Sequence, residues 1–230
     1  MKLHKLLDSA RTPDGDLLTL ARDGDALTIR VQGRTLMSSH AHGSEEDLAL
    51  HGCSAIVEKK RRRASVLVGG LGLGYTLRAA LDVLPEDASL VCVELLSPVV
   101  RWHREGPLGD VAGRPLDDPR VALLLDDVRR VLAADSSAGA FDAILLDVDN
   151  GPTPISSRAN ASLYDERGLR VALRALAPGG TLAVWSAFDD KPFAARMRAV
   201  GLETRVVETG ARKRTQKDWK HWIFLGRRSR

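Results

Sequence analysis

The chain has few cysteines, no long apolar run and no repeat, and each of these absences removes a class of protein. Cys53 and Cys92 are the two cysteines among 230 residues, far too few for a disulfide framework, and Cys92 sits inside an apolar run. Both are expected to be small buried residues rather than a disulfide or metal site. No stretch reaches the about 18 consecutive apolar residues that a membrane span requires. No membrane partner is therefore expected. The opening Met1-Lys2-Leu3-His4-Lys5-Leu6-Leu7-Asp8 has basic residues but no hydrophobic segment of a secretory signal, so the expected location is cytoplasmic. His40-Ala41-His42 resembles half of a metal site, but no third ligand follows at a sensible spacing, and no metal is expected.

What is present is ordinary in amount and uneven in placement. Hydrophobic residues make up 44% and charged residues 28%, as in a globular domain. The net charge is only +4, yet the cations gather in Lys59-Lys60-Arg61-Arg62-Arg63, in Arg212-Lys213-Arg214 with Lys217 and Lys220, and in Arg227, Arg228 and Arg230. Such runs can track phosphates. They equally suit solvated faces, and the first falls where a helix C-terminus welcomes cations. Nucleic acid is thus the lesser expectation as a partner, behind a small-molecule acceptor.

The most informative segment is Ser65-Val66-Leu67-Val68-Gly69-Gly70-Leu71-Gly72-Leu73-Gly74-Tyr75, an apolar β-branched run that empties into glycines and then into a helical pattern. Strand, glycine turn and helix start in that order let a ligand approach the backbone, and the helix start supplies free N–H groups. Glu94 ends the next apolar run, 22 residues after Gly72, where a doubly wound fold puts the acid that binds ribose hydroxyls. Leu95 follows it at the same edge. A dinucleotide fingerprint needs G-x-G-x-x-G, and Gly70-x-Gly72-x-Gly74 puts Tyr75 where its last glycine belongs, which counts against NAD.

Along the chain, Leu17–Leu20, Ala26–Val31 and Thr35–Met37 read as short strands separated by Asp23-Gly24-Asp25 and Gln32-Gly33-Arg34, a small antiparallel unit over residues 1–43. Leu18, Leu20, Leu27, Ile29 and Val31 are more apolar surface than three strands bury alone, so the unit is expected on the larger domain or on a second copy, and a homodimer follows. Ser44 reads as the N-cap of a helix that runs to the basic cluster near Lys60. Over residues 44–230, strands at Val66–Gly69, Leu90–Glu94, Val121–Leu125, Ala143–Asp147 and Thr181–Ser186 alternate with helices at Tyr75–Leu84, Pro98–Arg104, Val128–Ala134 and Leu163–Ala177. This predicts an α/β fold, a doubly wound and mostly parallel sheet. After a helix at Lys191–Val200, the runs Leu202–Val207 and Trp222–Leu225 have no helix between them and must pair antiparallel.

The fourth strand runs into Leu145-Leu146-Asp147-Val148-Asp149-Asn150-Gly151-Pro152, three polar groups in four positions at the carboxyl edge of the sheet, beside the glycine turn. Asp147 there suits a proton or hydrogen-bond acceptor for an attacking amine, with Asp149 or Asn150 orienting it. His42, Ser44 and Glu45 fit the opposite wall of an acceptor pocket, and Trp185, ending the fifth strand, fits its lining.

From the N-terminal hairpins to the closing strands, these features resemble the spermidine synthase-like class I S-adenosylmethionine-dependent transferases. The family's Gly-Gly-Gly-Asp-Gly-Gly motif and following Leu-Arg fall on Gly69-Gly70-Leu71-Gly72-Leu73-Gly74 and Leu77-Arg78. The resemblance implies a seven-stranded sheet, Glu94 on the ribose, Asp127 of Asp126-Asp127 on the adenine side, and Asp147 as catalytic residue and cofactor neighbour. It also places a substrate-side tyrosine on Tyr164. Two acids of the family are missing: its glycine-loop aspartate, which holds the ammonium of decarboxylated S-adenosylmethionine, and the second carboxylate of the catalytic loop, here Asn150. Both losses remove charge meant for cations, whereas a bare glycine turn at a helix start favours an anion such as the carboxylate of intact S-adenosylmethionine. The expected activity is methyl transfer to a small amine or amino-acid-like acceptor, with aminopropyl transfer from decarboxylated S-adenosylmethionine, a polyamine reaction, as the alternative, and a nucleic-acid methyltransferase or a non-catalytic nucleotide binder as lesser ones.

Overall fold

A computed structural model describes residues 4–148, 151–152, 161–210 and 220–230. Four antiparallel strands come first: β1 (His4–Arg11), β2 (Leu17–Asp23), β3 (Ala26–Val31) and β4 (Arg34–Ser38), paired in chain order. The β3–β4 turn puts both Gln32 (φ 48°) and Gly33 (φ 77°) in the left-handed region, the twist a two-residue hairpin demands. β1 is one strand more than the sequence suggests. Its residues are mostly exposed, Leu6 by 55%, so it lacks a clean apolar alternation. Side-chain anchors hold it instead: Asp8 accepts from Arg101 and from Trp102 Nε1, each at 2.6 Å.

Helix α1 (Gly43–Glu58) then leads into β5 (Ser65–Gly69), α2 (Tyr75–Val83), β6 (Ser89–Glu94), α3 (Ser97–Arg104), the single turn α4 (Leu108–Val111), β7 (Val121–Leu125), α5 (Val128–Ala133) and β8 (Phe141–Leu146). After it come α6 (Ala161–Tyr164), α7 (Glu166–Ala175), β9 (Leu176–Ser186), α8 (Lys191–Ala199), β10 (Glu203–Gly210) and β11 (Lys220–Arg227). The seven strands from β5 onward form one sheet in the order β10-β11-β9-β8-β5-β6-β7. β5 pairs in parallel with both β6 and β8, while β11 pairs antiparallel with β9 and β10, as the missing crossover requires. Strand order reverses at β5, so the carboxyl ends of β5, β6 and β8 frame a crevice.

Two local expectations are corrected. Ser44 is not the N-cap: α1 begins at Gly43 with His42 at the cap, no side chain caps it, and the Ser44 hydroxyl is turned inward to other partners. The helix read as continuous from Leu163 to Ala177 is α6 and α7, broken at Asp165, whose carboxylate accepts the Gly168 N–H at 2.8 Å, with β9 starting as early as Leu176.

The strands alternate between two cores. Val66, Val68, Cys92, Ala143, Leu145 and Ile223 face α1, α2 and α3, whereas Leu67, Val93, Ile144, Leu146 and Phe224 face α5, α7 and α8. The first core also contains Leu18, Leu20, Leu27 and Ile29 of the N-terminal sheet. Those four side chains are at most 4% exposed within one chain, so their apolar surface needs no second copy to cover it. Cys53 and Cys92 are buried free thiols, and burial pushes the Cys53 thiol up to about 12. No helix among the described residues is long and apolar enough to cross a membrane.

Candidate functional site

The glycine turn after β5 is shaped by what presses on it. Gly70 has φ +91°, and a Cβ there would lie 2.2 Å from the backbone oxygen of Asp147. Only glycine fits this position. The turn is pinned on both sides, by Gly70 N–H donating to Val93 O (2.9 Å) and by Asp147 N–H donating to Gly69 O (2.8 Å). At Gly72, where the resembling family carries its aspartate, a Cβ would meet Met37 Sδ of β4 at 2.7 Å. The N-terminal sheet thus rests on the turn.

Glu94, 7% exposed at the end of β6, accepts the Leu71 N–H on one oxygen and the Leu96 N–H on the other, each at 2.8 Å. Burial raises its pKa against those backbone bonds. The carboxylate thus braces the turn, with the Gly72 and Leu95 N–H groups also directed at it. Asp127 caps α5 by accepting the Arg129 N–H at 2.8 Å, and the Arg129 guanidinium clasps the same carboxylate and holds its pKa below the usual value. Asp126 accepts the Asp127 N–H at 2.7 Å. Both acids are therefore already engaged where the sequence suggested an adenine contact. A residue with no sequence signal is His103 of α3: its Nε2 lies 2.9 Å from Gly72 O, burial lowers its pKa, and its buried Nδ1 has no partner among the described residues. A histidine on an amphipathic helix gave no motif by which to find it.

Between the two sheets lies a cavity of about 340 Å³, within the range of small-molecule sites. Gly70, Gly72, Glu94, Leu95, Asp126, Asp127 and Asp147 line it from the large sheet, and Leu18, Ile29, Val31, Met37, Asp14 and Asp16 from the small one. Leu95, half exposed, lies at its rim.

On the far side of Asp147 stands a second cluster. Thr76, the second residue of α2, donates to Asp147 Oδ2 at 2.6 Å. Burial pushes the Asp147 carboxyl up to about 6, and Glu45 is pushed up to about 8 by burial and then by the charge of Asp147. Glu45 so placed holds a proton at neutral pH that a free carboxyl would release, while Asp147 holds one only under mildly acidic conditions. Ser44 Oγ donates to Glu45 Oε2 (2.6 Å), and His221 Nδ1 lies 2.9 Å from Ser44 Oγ. The His221 ring meets Trp185 edge to face at 4.7 Å. His42 stacks on Tyr75 at 4.0 Å, with its Nδ1 2.7 Å from Glu46. Of the residues expected around an acceptor, the structure brings His42, Ser44, Glu45 and Trp185 to this side of Asp147. Tyr164 is placed elsewhere: it is 1% exposed in the second core, with its hydroxyl donating to Val148 O at 3.3 Å, two residues past the end of β8. Asp149 and Asn150 lie outside the described residues, as does the basic segment 211–219.

The fold is a doubly wound, mostly parallel sheet with a glycine turn at its switch point and a small antiparallel sheet before it. Neither a protein-family model nor a curated protein sequence matches the chain. Solved structures do. A spermidine synthase in complex with the transition-state analogue AdoDATO superposes with a TM-score of 0.73 at 16% identity, covering 98% of this chain and 73% of that one. The spermidine synthase from Thermotoga maritima gives a TM-score of 0.71 at 18% identity, over 96% and 72% of the two chains. A 1,6-didemethyltoxoflavin-N1-methyltransferase from Burkholderia thailandensis, with S-adenosylhomocysteine bound, gives 0.52 at 16%, over 80% of each. At such identities the likeness is one of fold, and the fold is that of spermidine synthases, small N-terminal sheet included.

Proposed function

We propose that the chain is an S-adenosylmethionine-dependent transferase that methylates a small amine or amino-acid-like acceptor, with residues 1–43 roofing a catalytic unit of residues 44–230. One observation carries the reading: Asp147, just past the end of β8, is a partly buried carboxyl that lines the glycine-turn cavity and faces the Glu45 cluster. The cavity suits the cofactor, because Gly70 and Gly72 bring bare backbone to its wall and the Glu94 carboxylate lines it from the end of β6. Bound in it, S-adenosylmethionine would supply a carbon activated by its sulfonium. Glu94 would hold its ribose and Gly70 and Gly72 its backbone-contacting portion, while Asp147 accepts a hydrogen bond or proton from the acceptor nitrogen and Thr76 fixes the carboxylate's direction. Positioning and exclusion of water would do most of the work.

Methyl transfer is favoured over aminopropyl transfer by Gly72, because Met37 occupies the space that a carboxylate side chain would need there. The acid-lined cavity, with Asp14 and Asp16 in its roof, is the observation on the side of decarboxylated S-adenosylmethionine. Calorimetry with S-adenosylhomocysteine, methylthioadenosine and NAD tests the reading. Tight S-adenosylhomocysteine binding is expected; tight binding of NAD alone would overturn it, and of methylthioadenosine alone would favour aminopropyl transfer.

A homodimer remains part of the proposal, supported by Leu124 and Leu125, 41% and 55% exposed on the open edge strand β7. Light scattering at micromolar concentration tests it, and a monomer would refute it.

A further inference from the structure

Ser44 is fully buried inside the first turn of α1, and its hydroxyl joins two titratable side chains that are 176 positions apart in the chain, Glu45 and His221. A buried serine at a helix start needs no such partners to be satisfied, since its hydroxyl could bond the local backbone. Here it lies 2.6 Å from Glu45 Oε2 and 2.9 Å from His221 Nδ1. The three groups permit two complete arrangements. In one, His221 Nδ1–H donates to Ser44 Oγ, whose proton goes to an ionised Glu45. In the other, a protonated Glu45 donates to Ser44 Oγ, whose proton goes to a bare Nδ1. Shifting two protons along the same two bonds interconverts them.

We propose that Glu45, Ser44 and His221 form a proton relay that carries the acceptor's proton out of the Asp147 site, an inference that rests on the transferase reading above. With Glu45 ionised and His221 carrying its proton on Nε2, the acceptor ammonium gives one proton to the Glu45 carboxylate and keeps its electron pair for the carbon it attacks. Glu45 Oε2–H passes its proton to Ser44 Oγ as the Ser44 proton passes to His221 Nδ1. The imidazolium so formed, on a partly exposed ring, releases a proton to water. Burial lowers the His221 pKa, which disfavours the charged ring and drives that release.

The surrounding groups leave this path distinct. Asp147 faces Glu45 from the end of β8 and is held by Thr76 of α2. Glu46 of α1 also faces Glu45 but is engaged with His42, and Tyr75 of α2, facing both glutamates, donates to Ser39 O at 3.2 Å. Near His221, Asp47 accepts from Thr209, and Lys220 pairs with Glu208 at 2.8 Å. His221 is thus the titratable group that Ser44 connects to Glu45 among the described residues.

The test uses the full chain with isotopically labelled histidine. The His221 ring shift is followed against pH by NMR in the wild type, in Glu45→Gln and in Ser44→Ala, with S-adenosylhomocysteine affinity as the check that each variant is folded. Two-step titration in the wild type and single-step titration in both variants is expected; superimposable curves in all three would overturn the relay. His221→Asn keeps a donor toward Ser44 but cannot carry a proton. With S-adenosylmethionine and a panel of amines it is expected to slow turnover by about tenfold, a fraction of what a general base contributes, with recovery in added imidazole. Full activity in His221→Asn would sink the relay. Failure of every amine with the wild type would instead sink the transferase reading, and the titration would still decide the relay.

Discussion

The two sides of Asp147 are built from different materials. On the cavity side the wall is backbone: Gly70 and Gly72 carry no side chain, and Glu94 and Asp127 spend their first hydrogen bonds holding main-chain N–H groups. On the other side the wall is side chains, with Thr76, Glu45, Ser44 and His221 bonded to one another or to Asp147 itself. A backbone wall defines shape and tolerates no added atom. A side-chain wall holds protons that can move. In the proposed transferase, binding and chemistry would be separated across one residue, and substitutions on the two sides should fail in different ways.

The largest effect is expected at the boundary. Asp147→Asn keeps the shape and removes the acceptor, which should lower turnover by about 10²–10⁴-fold while S-adenosylhomocysteine affinity, measured by calorimetry, stays within about twofold. Equal losses in both would erase the distinction between the sides. On the backbone side, Gly70→Ala sets a methyl group 2.2 Å from Asp147 O at a φ of +91°. It should cost about 2 kcal/mol of stability or more and weaken the cofactor analogue by about a hundredfold. Glu94→Ala, which removes the brace but leaves the glycines, should weaken the analogue by about tenfold, with the variant's melting temperature lowered as well.

The smallest expected effect sharpens the comparison through pH. Burial raises the pKa of Glu45 to about 8, so between its unfolded value near 4.5 and that point the native state holds a proton that the unfolded chain has released. Stability therefore falls as pH rises through this window, and the full cost is present above it. Glu45→Gln should remove that dependence, melting a few degrees above the wild type at pH 9 and level with it at pH 4.5, as differential scanning fluorimetry would show.

The difference in material also explains what could be seen in the sequence. Backbone walls leave a local signature, since glycines must fall at set positions after a strand, and Gly70, Gly72 and Glu94 were legible on spacing alone, whereas Gly74 caps α2 beside His103 and does not line the cavity. The parallel strands were legible too, because runs buried on both faces read as continuous apolar segments. Side-chain walls are assembled from distant segments. Thr76 is an unremarked residue of a helix start, and His221 reaches Ser44 only because β11 inserts between β9 and β10. Ser44 itself was placed in the right region but as a helix cap, since a serine before acids is the usual signature of one. β1 escaped because its position depends on Asp8 meeting α3, a pairing 93 and 94 residues long that no local pattern encodes.

Met37 resting on the glycine turn bears on how the chain is made as well as on what it binds. Leu18, Leu20, Leu27 and Ile29 belong to the same core as Leu71, Leu73 and Val99. The small sheet is synthesised before any of those partners, so it leaves the ribosome with its apolar face uncovered until the glycine turn and α3 have followed. An early hairpin array with a bare apolar face is a natural client for holding factors and a hazard for pairing with a neighbouring nascent chain. Slow translation between Ser39 and Val99 would then lower yield more than the same delay later on.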